Sequence, residues 1–106
     1  METLYKFQNS SDKLIEKIVD DDFSAINHVI LTSGDSLPEH YSNSNTYLII
    51  VQGTIQLQLG EDKNKPYEKG SIIYIPYNTK MNIANESNSN LEFFIVKAPN
   101  PKNYKS

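Results

Sequence analysis

The sequence predicts an all-β domain, a sandwich or closed barrel, on three observations. Short runs rich in Ile, Val, Leu and Tyr recur with turn signals between them, at the spacing of roughly eight to twelve residues that such folds show. One run, Thr54 to Leu59, alternates strictly. Ile55, Leu57 and Leu59 fall on one face and Thr54, Gln56 and Gln58 on the other, the two-residue period of a half-buried strand. No stretch carries the apolar spacing of a long amphipathic helix, and no internal repeat is visible.

Taken in order, Ser11 to Lys17 is short and mixed and reads as one helical turn or as an edge strand. Asp20-Asp21-Asp22 is a charged turn. Phe23 to Leu31 reads as a strand with Phe23, Ala25, Val29 and Leu31 in phase, and Asn27 shares that phase. Ser33-Gly34-Asp35 turns the chain, and Leu37-Pro38 restarts it because Pro biases its predecessor toward extended geometry. Tyr41 to Asn45 is polar and loop-like. Tyr47-Leu48-Ile49-Ile50-Val51 is apolar without alternation, which predicts cover on both sides, the second from another strand layer or another subunit. Beyond Thr54 to Leu59, the stretch from Gly60 to Pro66 is a solvated hairpin connection within a charged run reaching Lys69. Ser71 to Ile75, Lys80 to Asn85 and Leu91 to Val96 complete the strands, with Pro76 ending the first and the polar Glu86 to Asn90 dividing the last two. The prolines of Ala98-Pro99-Asn100-Pro101 hold the tail out of a sheet. The organisation expected is an N-terminal arm over residues 1–22, a barrel over 23–97 and a C-terminal tail over 98–106.

Composition excludes several functions. A length of 106 residues is that of one domain. A formal net charge of −3 offers no electrostatic footprint for nucleic acid or anionic lipid, and no apolar run is long enough for a membrane span. All 10 basic residues are Lys, so the planar fork that grips phosphate bidentately is missing. The absence of Cys excludes disulfides and thiolate chemistry and fits a cytoplasmic location, as does an N-terminus, Met1 to Ser11, without an apolar h-region.

Two segments carry a family resemblance. The first reads Gly34, five residues, His40-Tyr41-Ser42, three residues, Thr46, six residues, Gly53. The second reads Gly70, five residues, Pro76-Tyr77-Asn78, two residues, Met81, three residues, Asn85. In spacing and order these resemble the two motifs of the cupin superfamily, and the short linker between Gly53 and Gly70 is similar to that of compact bacterial single-domain members of the cupin 2 type. The resemblance covers roughly Phe23 to Val96 and implies a jelly-roll, double-stranded β-helix barrel. It also implies three His and one Glu converging on a divalent iron, manganese, zinc, copper or nickel ion. Only His40 matches that set; Ser42, Thr46 and Met81 stand at the other three positions. Neutral hydroxyls and a thioether are poor ligands for such ions, so no metal and no cofactor is expected. Glu39 does not help, because an extended chain points it away from His40.

These positions leave an expected ligand pocket of His40, Ser42, Thr46, Tyr74, Tyr77 and Met81 inside the barrel, suited to a neutral polar or aromatic molecule. Plainer readings stand beside it: Met81 as core filler, Ser42 and Thr46 satisfying backbone groups, the Tyr residues as packing and interface anchors, and His28 as a surface or packing residue. The leading functional expectation is a metal-free, non-catalytic cupin that binds a small molecule. One alternative is an oxygenase, isomerase or lyase with a divalent metal on atypical ligands around His40, or with His40 as general base. The other is a structural homodimeric module; a homodimer is expected from the doubly apolar strand Tyr47 to Val51.

Overall fold

The structure, a computed structural model, describes residues 1–104. It contains nine strands: β1 (Leu14–Asp20), β2 (Ala25–Leu31), β3 (His40–Tyr41), β4 (Thr46–Gln52), β5 (Thr54–Leu59), β6 (Lys65–Glu68), β7 (Ile72–Ile75), β8 (Lys80–Ala84) and β9 (Leu91–Lys97). A 3₁₀ turn, Pro101–Asn103, follows. All pairings are antiparallel. They form a five-stranded sheet in the order β1-β2-β9-β4-β7 and a four-stranded sheet in the order β3-β8-β5-β6.

The two sheets face each other across one apolar core. Val29 and Leu31 of β2, Leu48 and Ile50 of β4, Ile75 of β7 and Leu91 and Phe93 of β9 line the first sheet's inner face. Ile55 and Leu57 of β5 and Met81 and Ile83 of β8 line the second. Burying such a side chain contributes about 1.5–3 kcal/mol, so this layer is the principal source of stability. The alternation read in Thr54 to Leu59 is the alternation found.

Several boundaries differ from expectation for identifiable reasons. The mixed N-terminal segment is the edge strand β1 and not a helical turn. Phe23 is in phase with β2 but lies outside it and is exposed. Asp21 Oδ1 accepts from the Phe23 and Ser24 N–H groups, each at 2.9 Å, and this side-chain turn holds the chain out of the sheet until Ala25. The charged hairpin contains a short strand, β6, paired with β5 despite Pro66; as the edge of its sheet it tolerates the missing donor. The polar stretch after Pro38 includes the two-residue strand β3. On β4, Leu48 and Ile50 are buried, while Tyr47 and Val51 on the outer face are exposed and have no second layer among the described residues.

The motif glycines and their substitutes fit backbone needs. Gly53 has φ +81 between β4 and β5, and a Cβ there would run into the Asn90 carbonyl oxygen. Asn78, where the second motif usually has Gly, sits at φ 63, a left-handed conformation that Asn tolerates better than most residues. The fully buried Asn85 donates from Nδ2 to the Leu31 and Ser89 carbonyls (2.9 and 2.8 Å) and accepts from Ser87 N–H and Oγ (3.0 and 2.7 Å), tying three turns together.

Candidate functional site

The motif residues do come to one end of the sandwich, but they are occupied there with the protein's own backbone. Register sets His40 opposite Met81, which places both on the inner face of the second sheet. Met81 is buried in the core. His40, on the short edge strand, is exposed, and its Nδ1 donates to the Pro38 carbonyl at 2.9 Å. Glu39 turns to the outer face, as alternation requires, and accepts from Asn82 Nδ2 at 3.0 Å.

Ser42 is buried. Its Oγ donates to the Pro76 carbonyl (2.5 Å) and accepts from Thr79 N–H (2.8 Å), which staples the first motif's loop to the second's. Thr46 is fully buried and donates from Oγ1 to the Ser44 carbonyl at 3.0 Å. One imidazole, two hydroxyls committed to carbonyl oxygens and a thioether in the core do not fit the divalent ion that the fold family implies. Among the described residues, no group of three or more His, Asp or Glu side chains is placed to hold a metal.

The two tyrosines lie apart from these four. Tyr74 is on the outer face of β7 and exposed, with its ring 5.1 Å from that of Tyr47 and its hydroxyl donating to Asn45 Oδ1 at 3.2 Å. The inner face of β7 belongs to its neighbours Ile73 and Ile75. The expectation of Tyr74 inside the barrel thus gives way to the strand's own two-residue period. Tyr77 is half-buried and stacks on Tyr104 of the tail, centroids 4.2 Å apart and planes at 20°.

An open cavity lies at the neighbouring strands. It has a volume of about 250 Å³ and is lined by Lys17, Asp20, Ala25, Asn27, Asn43, Lys97, Asn100, Pro101 and Lys102. Lys17 of β1 stands opposite Asn27 of β2, and Ala25 opposite Lys97 of β9, so the inner face of the first sheet forms its floor. Asn43 and the tail form its walls. A smaller crevice of about 20 Å³, between β5 and the β5–β6 hairpin, has room for little more than one water. None of the six residues expected to bind ligand lines either space.

Polar groups in the larger cavity are unevenly satisfied. Asn100 Nδ2 donates to Asp20 Oδ1 (2.6 Å) and to the carbonyls of Asp21 and Ser24 (2.8 and 3.1 Å), pinning the tail to the β1–β2 turn. That amide, helped by the Lys102 and Lys17 ammoniums, holds the Asp20 carboxyl below its ordinary range. Asn27 Oδ1, by contrast, is buried without a hydrogen-bond partner among the described residues. Lys97 is half-buried; burial first, and the nearby Lys17 second, push its ammonium below the ordinary lysine value. In the sequence this cavity is signalled only by two polar residues in apolar phase, Asn27 in β2 and Lys97 after Leu91, Phe93 and Ile95 in β9.

A second polar cluster lies on the opposite face of the same sheet. His28 is fully buried, with Nδ1 2.7 Å from Glu16 Oε2 and Nε2 2.6 Å from Glu92 Oε2. Phe7 of the N-terminal arm covers the ring, 4.8 Å from it and 4.9 Å from Phe94. Of the two sequence readings of His28, packing describes it and surface does not.

A family model for the cupin domain matches residues 27–97. An uncharacterized protein of Methanocaldococcus jannaschii, MJ0764, is 43% identical over 103 residues, 96% of this chain and 89% of the relative. The crystal structure of that archaeal protein, described as an RmlC-like cupin with a double-stranded β-helix fold, superposes with a TM-score of 0.93 over 96% of this chain and 94% of the other. A cupin superfamily protein of Desulfitobacterium hafniense shares the fold at a TM-score of 0.74 and 15% identity, over 88% of this chain and 83% of its own. Two sheets joined in this order, motif spacing kept while motif ligands are lost, and a match over most of the length agree: the chain belongs to the cupin family.

Proposed function

We propose that this cupin is a small-molecule-binding domain that works without a metal at the motif positions and without catalysis of its own. The observation that carries the reading is the division of labour at the barrel end. Ser42 and Thr46 spend their hydroxyls on backbone carbonyls. The neighbouring cavity of about 250 Å³ gathers the polar side chains of Lys17, Asn27, Asn43, Lys97 and Lys102. A concave space with a few convergent polar groups is what a small-ligand site requires. On this reading the ligand site lies on β1, β2, β9 and the tail rather than at His40. A cytoplasmic setting belongs to the same proposal, on the strength of a chain without Cys.

A thermal-shift screen of small metabolites tests it. A ligand that binds only the folded state raises the melting temperature, and Asn43→Trp, which fills the mouth from an exposed loop position, abolishes the shift. No shift across a broad library would leave only a structural role. Metal analysis of protein purified without chelator tests the enzyme alternative: near-stoichiometric iron, manganese, zinc or nickel that disappears in His40→Ala would displace the metal-free reading.

A homodimer is the second part of the proposal. Tyr47, Val51, Ile72 and Tyr74 expose apolar surface together on the outer face of β4 and β7, and β7 is the open edge of its sheet. A second copy related by a two-fold axis would cover both the face and the edge. Sedimentation should show a dimer that Ile72→Lys converts to monomer; a monomer at all concentrations excludes it.

A further inference from the structure

We infer that the β1–β2–β9 cavity is a site for a small carboxylate anion. This rests on the small-molecule reading above and names the class of ligand for that same cavity.

Charge comes first. Lys17, Lys97 and Lys102 line the space, against the single carboxylate of Asp20. Asp20 is already engaged by Asn100 Nδ2 at 2.6 Å, and Lys17 and Lys102 stand 3.9 and 4.0 Å from its oxygens. Lys97 has no carboxylate within ion-pair distance among the described residues. A half-buried ammonium without a counterion lowers stability, and Lys17, two strands away on β1, adds repulsion. An anion in the cavity would remove both costs.

The class follows from that charge: a carboxylate accepts from the Lys97 ammonium, and Asn27, its diagonal neighbour on the same sheet face, adds a polar side chain to the lining. Size is compatible: the open cavity of about 250 Å³ has room for a four-carbon acid.

The test uses the whole chain and three probes on one four-carbon skeleton: malate and succinate, which carry carboxylates, and dimethyl malate, which carries none. Binding is followed by amide and lysine side-chain NMR at 0.15 M salt, which screens loose surface attraction. Malate and succinate should both give saturable shifts at Lys97, and dimethyl malate none. Lys97→Met should weaken malate by at least about tenfold. Lys97→Met should also melt at or above the parent's temperature, because the variant no longer carries the uncompensated charge; a lower melting point would assign Lys97 to packing and overturn the inference. Saturable binding of dimethyl malate but not malate overturns the anionic class while leaving the cavity a ligand site. Silence from all three overturns the inference; hits in the metabolite screen that Asn43→Trp removes would then still uphold the broader reading.

Discussion

Gly53 turns at φ +81 against the Asn90 carbonyl, so Gly53→Ala meets both a left-handed backbone penalty and a collision with main chain that cannot rotate away. A loss of at least about 2 kcal/mol is expected in urea titration, with the slope of the transition unchanged. Asn85→Asp is nearly isosteric but replaces the donor that serves the Leu31 and Ser89 carbonyls with an acceptor. A comparable loss of about 2–3 kcal/mol follows from leaving those oxygens unpaired in the interior. At this scale the motif framework was legible, because the spacing of Gly34, Gly53, Gly70, Pro76 and Asn85 reflects turn geometry. The side-chain directions were legible in principle as well. Ile73, Tyr74, Ile75 is a plain alternation that assigns Tyr74 outward, whereas proximity to a motif residue says nothing about direction. What Ser42 and Thr46 bond to could not be read, since Pro76 lies 34 positions from Ser42.

At the scale of elements, the N-terminal arm and β1 form one unit. Gln8 N–H donates to Glu16 Oε2 (2.9 Å), Glu16 reaches His28, and Phe7 closes over the ring. Phe7→Ala should cost about 1 kcal/mol, the typical worth of such aromatic contacts, and should raise amide exchange in the arm and β1 ahead of the core. Retention of full protection in both would show that the arm adds nothing. The strands of the core were readable because their periods are local. β6 was not, since a charged edge strand containing Pro66 has the composition of a loop and is a strand only by pairing with β5. The cavity was also beyond sequence reasoning, because its floor joins Lys17, Asn27 and Lys97 through two strand registers and its wall comes from Asn100.

For the molecule as a whole, acid is the sensitive direction. Hydrogen bonds from Gln8 N–H and then His28 lower the Glu16 carboxyl, and Asn100 lowers Asp20. The Phe23 and Ser24 amides lower Asp21, and Thr32, through its hydroxyl and then its amide, lowers Asp35. A carboxyl whose folded value lies below its unfolded one binds fewer protons when folded. Its stabilisation is therefore present above the unfolded values of about 4.5 for Glu and 3.8 for Asp, and is lost as pH falls through the depressed folded values. The urea midpoint should drop on acidification below about pH 4.5, and Asp35→Asn should flatten that slope; an unchanged midpoint down to pH 3 would contradict the assignment.

The strand order of the larger sheet has a further consequence, for how the chain is made. β9, the last strand in sequence, sits in the middle of that sheet and is the sole link between the β1–β2 pair and the β4–β7 pair. During synthesis these two halves leave the ribosome with nothing to join them, and the apolar faces of Val29, Leu31, Leu48 and Ile50 stay open until residues 91–97 emerge. The larger sheet therefore closes only once β9 is available and, being governed by distant pairings, is expected to fold in the millisecond-to-second range common to sandwiches and barrels. A nascent chain stalled before Leu91 should bind chaperones and resist no protease, while one extended past Lys97 with a tether should do the opposite.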